Sequence, residues 1–183
     1  MVFTVPAETT VAIVADFVST EETSLSFGTL GTSLYYGENA ESPNGVRFLN
    51  RLYLEELTVG NALTVRYNGQ TRTITEFGSL IKRSDNAAAL TLDSVAANLN
   101  TAGAARMWKS VAYTADGDMM LVDYTESYLD FTVIMTKGDT LSQEEFEQRS
   151  YTVCGYVILD DGTVVYTEAM TDSVSVALDR YTA

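Results

Sequence analysis

Asp160-Asp161-Gly162 and Asp116-Gly117-Asp118 are the two places where this chain of 183 residues sets carboxylates close enough to attract calcium. Calcium wants six or more oxygens, and neither segment has the twelve-residue EF-hand pattern. Asp-Gly is also the expected tight-turn dipeptide, and that explanation suffices for both. Glu144-Glu145 offers paired carboxylates of the kind glycosidases use across a cleft. The same two acids suit the first turn of a helix, where they complement its dipole.

Nucleophilic chemistry lacks its usual partner, because the chain has no histidine. Ser142, Ser150 and Ser173 therefore belong to no Ser-His-Asp triad. A Ser-Lys dyad would have to draw on Lys82, Lys109 or Lys137, and no motif selects one. Cys154 is the single cysteine and sits in a strand-like run, Tyr151 to Val157. Without a base or positive neighbours to form a thiolate, it is expected to be a small core residue. No catalytic, cofactor-binding or metal-ligating residue is assigned, and the chain is expected not to be an enzyme.

Eleven tyrosines raise the prospect of flat rings stacking on sugars, with Tyr35, Tyr36, Tyr124 and Tyr128 as candidates. Tyrosine equally favours half-buried strands. Trp108, the only tryptophan, is expected in a core or an interface.

The net charge is −14 and unevenly spread: −6 over residues 1–45, +3 over 46–109 and −11 over 110–183. Binding to phosphate backbones requires clustered Lys and Arg, so a nucleic-acid partner is not expected. No apolar run approaches a membrane span, so membrane insertion is not expected. The first residues lack a basic n-region and an apolar h-region. Either the protein is intracellular or the segment comes from a longer secreted chain with Met1 added.

These residues need elements to position them, and the turn chemistry supplies the outline. Asn44-Gly45, Asn68-Gly69, Asp116-Gly117 and Asp161-Gly162 lie among runs rich in Val, Ile, Thr, Tyr and Phe. Such pairs suit two-residue antiparallel hairpins. Strands are expected over 11–18, over 24–36 with a bend or bulge at Gly28 and Gly31, and over 46–57. Residues 63–67 and 71–77 form a hairpin with one buried face, and the strand runs on through Leu80-Ile81 to Lys82-Arg83. Further strands are expected over 107–114, 119–122, 128–136, 151–159 and 163–170. A short helix fits 84–104, with Asp93 as a possible cap. Ser142 and Glu145 form a capping box, with Leu141 able to staple onto Phe146, so a two-turn helix starts there. Val174, Val176 and Leu178 fit either a strand or a helix. The expected fold is mainly β, an antiparallel β-sandwich (immunoglobulin-like or similar) or partly open barrel, with one or two short helices. Residues 1–23 read as an N-terminal strand or linker and 24–183 as the sandwich module.

The order of short motifs resembles a recurrent β-rich module of large surface and secreted proteins of Firmicutes. The carrying residues are Gly31-Thr32-Ser33-Leu34, Gly45-Val46-Arg47-Phe48, Glu76 to Ile81, Phe131 to Ile134, Tyr151 to Val157, Asp161-Gly162-Thr163, and Ser173-Val174 with Val176-Ala177. Cys154 stands where that pattern usually has arginine, and Leu34 follows Ser33 where an Ile-Arg pair is usual. The resemblance implies an extracellular, noncatalytic spacer or adhesive module. Its partners would be cell-wall or host glycans, or neighbouring domains of the same chain. A carbohydrate-binding module and a phage or virion structural protein are the alternatives. Arg47, Phe48, Phe77, Leu80, Phe131, Ile134, Tyr156 and Val157 are expected to pack the core rather than bind a ligand.

Overall fold

The computed structural model describes residues 25–37, 41–54, 56–58, 62–97, 104–110, 122–124 and 128–182. Along these the elements run β1 (Phe27–Tyr35), β2 (Gly45–Tyr53), β3 (Glu56–Thr58), β4 (Ala62–Tyr67), β5 (Gln70–Arg83), α1 (Leu92–Ala97), β6 (Ala104–Ser110), β7 (Val122–Tyr124), β8 (Tyr128–Thr136), α2 (Gln143–Glu147), β9 (Ser150–Leu159), β10 (Val164–Tyr166), β11 (Met170–Ser173) and α3 (Val174–Thr182). The predicted strand over 11–18 and the Asp116-Gly117 turn lie outside the described residues.

Two antiparallel sheets result. The first has the order β1-β2-β8-β7. In the second, β5 and β9 are the long central pair. β4 and then β6 pair along one edge of β5, while β10 and β11 pair in succession along the free edge of β9. The strands form open sheets rather than a barrel, and the fold is a β-sandwich with three short helices among the described residues, one more than the upper expectation.

Local chemistry explains most boundaries. Asn68 and Gly69 take φ of 50° and 72°, the left-handed pair that a two-residue hairpin between β4 and β5 demands. Asp161-Gly162 works differently. Leu159 N–H bonds the Thr163 carbonyl, and only Gly162 is left-handed, at φ 84°, so Asp160 to Gly162 form a three-residue loop. Asn44-Gly45 is not a two-residue turn: Gly45 already opens β2, and the Asn44 side chain instead accepts from Gly37 N–H at 2.8 Å. β1 carries the expected irregularity, a register shift between Thr29 and Gly31. The run over 46–57 breaks at Leu54, and its two parts enter different sheets, β2 in the first and β3 in the second. Residues 163–170 likewise divide between β10 and the start of β11.

Ser142 caps α2 with the full capping box, and the helix is a single turn that inserts Phe146 into the core. α1 is capped by Thr91, whose hydroxyl accepts from Ser94 N–H at 3.3 Å; Asp93 lies inside the first turn. α3 resolves the ambiguity over 174–178. Val174 and Ala177 are buried on one side and Val176 is exposed, so helical spacing wins.

The interior between the sheets holds two apolar clusters. One contains Leu52, Leu63, Val65, Ile74, Phe77, Leu129, Phe131, Val157 and Leu159. The other contains Val46, Phe48, Ile81, Val133, Val153 and the helical residues Phe146, Val174 and Ala177. A polar belt separates them. Asn50, fully buried, accepts from Thr29 Oγ1 and donates to Ser79 Oγ, both at 2.7 Å. Thr167 Oγ1 lies 3.1 Å from Thr29 Oγ1 and accepts from Gly155 N–H at 2.9 Å. The belt ties β1 and β2 of one sheet to β5 and β9 of the other. Buried polar groups require such partners, because an unpaired one costs about 1–3 kcal/mol. Gly155 makes room for it: a Cβ there would lie 2.9 Å from the Asn50 carboxamide and 2.8 Å from Phe27.

A third cluster, Leu80, Val95, Cys154 and Tyr156, covers the outer face of the second sheet beneath α1. β5 and β9 are thus buried on both faces, which is why their sequences read as nearly continuous apolar runs. Phe48, Phe77, Leu80, Phe131, Ile134, Tyr156 and Val157 are all buried as expected, and Arg47 is half-buried.

Candidate functional site

Each titratable group read from the sequence as a possible reagent has a partner in the fold. Asp161 accepts from Thr163 N–H at 2.9 Å, and Arg72 reaches Asp161 at 3.1 Å and Asp160 at 3.7 Å. The Thr163 amide, then its hydroxyl, and then Arg72 hold the Asp161 carboxyl below the usual range. The loop is therefore a turn neutralised by an arginine, and among the described residues no cluster has the ligands for a metal ion. Asp116 and Asp118 lie outside the described residues. Glu145 accepts from Ser142 N–H at 2.9 Å, which lowers its pKa, so it is spent on the helix cap.

Ser173 caps α3, accepting from Val176 N–H at 3.2 Å. Lys82 donates to the carbonyls of Asn86 and Ala88, and Lys137 donates to the Leu141 carbonyl at 2.7 Å. Both lysines therefore fasten turns. Trp108 and Lys109 belong to β6 and Tyr124 to β7, with their side chains outside the described set.

Cys154 is buried under α1, 3.7 Å from the Leu90 carbonyl. Burial pushes its thiol up to about 12. The folded protein is expected to resist iodoacetamide at pH 8 and to be labelled rapidly once unfolded; fast labelling of the native state would contradict this burial. The sign for stability follows. An acid with a raised folded pKa keeps its proton longer in the native state. The contribution is intact below the unfolded value, near 8.5, and is lost as pH rises from there toward 12.

Two groupings were not visible in sequence. On the outer face of the second sheet, Arg106 Nε donates to the Tyr156 hydroxyl at 2.9 Å, the hydroxyl donates to Glu76 Oε1 at 2.7 Å, and Arg106 also pairs with Glu76. Burial first, then Glu76, raises the Tyr156 hydroxyl above its ordinary value. The three come from β5, β6 and β9, and they lock those strands together.

The second grouping lies on the outer face of the first sheet. Arg51 sits directly opposite Asp130 across the β2–β8 pair and binds it bidentately, with both bonds at 2.7 Å. The pairing with Asp130 raises the Arg51 pKa. Next in the ladder, Tyr53 faces Tyr128, and the Arg51 guanidinium stacks 4.2 Å from the Tyr128 ring. Arg47 lies 5.7 Å from the Tyr35 ring. Of the four tyrosines proposed as a sugar platform, Tyr35 and Tyr128 are thus engaged by arginines. Tyr53, which the sequence did not single out, is half exposed at 50%. Alternation along β2 places Arg47, Arg51 and Tyr53 on one face, and that was the available signal.

No protein-family model matches this chain, and no curated protein or solved structure matches it.

Proposed function

We propose that this chain is a noncatalytic, extracellular module of a bacterial cell-surface or secreted protein, acting as a spacer or adhesive domain. One observation carries the reading: the side chains with chemical potential are engaged in holding strands, turns and caps. Arg72 neutralises its turn, Glu145 caps a helix, and the Glu76–Arg106–Tyr156 group joins three strands. Such a module contributes rigidity and surface rather than reaction chemistry. The motif order seen in the sequence supports the same reading. A screen of the purified chain against cell-wall and host glycans, with and without calcium, tests it. A pure spacer binds nothing in either condition.

A second reading, a carbohydrate-binding module, is favoured by Tyr53. Its half-exposed ring stands beside the Arg51–Asp130 pair, so a sugar stacked there would have polar groups within reach. For any glycan that binds, Tyr53→Ala is expected to weaken binding by about 1.4 kcal/mol, roughly tenfold in Kd. Titration calorimetry measures this, and an unchanged Kd would move the site elsewhere.

A further inference from the structure

The open side of the sandwich, where β1 of one sheet faces β11 and the end of β10 of the other, is only half closed. α3 packs against β1 and β11, and Leu34 and Leu178 join Val174 and Ala177 in the core there. Thr32 Oγ1 donates to Asp172 across the same seam at 2.6 Å. Beyond the reach of α3 the seam opens into a groove of about 330 Å³ between β1 and residues 168–170. Phe27 and Met170 give it apolar walls, Thr29 lies at its base in the polar belt, and Glu168 stands exposed at its rim.

Charge around the seam has one sign. β1 carries no charged residue from Phe27 to Tyr35, and residues 164–179 carry Glu168, Asp172 and Asp179 with no base. The whole chain carries −14. We infer that the groove seats an apolar side chain of an extended peptide segment bearing Lys or Arg, contributed by another polypeptide. α3 shows how the seam is filled, since its own apolar residues occupy the other half. The volume is at the low end for binding pockets, so it suits one large side chain and its flanking backbone. The register shift between Thr29 and Gly31 limits main-chain pairing along β1, leaving recognition to the groove and to Glu168.

The test is selection from a phage-displayed library of random linear peptides on the full chain, followed by fluorescence anisotropy of individual peptides. The expected result is a shared apolar residue flanked by Lys or Arg, with affinity falling as salt rises. Gly28→Leu should fill the groove without disturbing the fold, because a Cβ at Gly28 meets nothing within 4 Å. Both it and Glu168→Lys should weaken binding at least about tenfold. Ala169→Trp, in the exposed connection, serves as a second blocking variant. Circular dichroism of each variant separates loss of binding from loss of fold. Three results overturn the inference. One is the absence of a shared sequence, or binding indifferent to all three substitutions. Another is binding that appears only after residues 1–24 are removed, which would make the chain its own occupant. The last is a dimer in sedimentation that the peptides dissociate, which would make a second copy the occupant.

Discussion

Phe131→Ala is expected to destabilise the protein by about 3–5 kcal/mol in chemical denaturation. Phe131 is fully buried on β8, with its ring 5.2 Å from Phe77 of the opposite sheet and 6.1 Å from Phe27. Its neighbour across β2 is Asn50, so the ring also borders the polar belt. Truncation removes the contact that joins the sheets at that level and leaves a void their backbones cannot close. The cost therefore combines lost transfer energy with a cavity. The midpoint should fall while the slope against denaturant stays constant. A change below about 1 kcal/mol would mean that Phe131 does not face the interior.

Gly78→Ala is expected to cost about 2–3 kcal/mol or more, a large effect for one methyl group. A Cβ at this position would lie 2.4 Å from the Met107 carbonyl oxygen and 2.8 Å from both Cε1 and the hydroxyl of Tyr156. Gly78 pairs with Tyr156 on one side and with Trp108 on the other, so β6 and the tyrosine ring cross directly over it. Accommodation requires either backbone movement of β6 or displacement of Tyr156, and the latter breaks the bonds to Glu76 and Arg106. Gly28→Ala is the matched control. With nothing within 4 Å of its Cβ, it should change stability by no more than about 0.5 kcal/mol. Equal effects at the two glycines would contradict the packing described for β5, β6 and β9.

The features legible in sequence are those whose cause is local. Ser142 and Glu145 are three residues apart, and the capping box formed as predicted. Asn68-Gly69 needs no tertiary partner to favour its hairpin, and Tyr128–Thr136 matched its predicted bounds because both ends carry polar or turn residues. Features set by distant partners were not legible. Val174, Val176 and Leu178 satisfy two periodicities, and the seam between β1 and β11 selected the helix. The split after Tyr53 arises because β2 and β3 join different sheets, which no local propensity encodes.

Asn50 is the instructive omission. It alternates with the buried Phe48 and Leu52, so a polar side chain at an inward position was visible, but its partners Thr29, Ser79 and Thr167 lie on three other segments. Glu76, Arg106 and Tyr156 are 30 and 80 residues apart in the pairs they form, too far for any motif. The reading of tyrosines as a platform failed at Tyr35 and Tyr128 for a similar reason: the arginines that engage them come from β2.

The central claim is that this fold is a structural or adhesive module displayed outside the cell. Antibody labelling of intact against lysed source cells tests it most directly. The account predicts equal labelling of both, with the signal removed by protease added to intact cells. Labelling that appears only after lysis would contradict it.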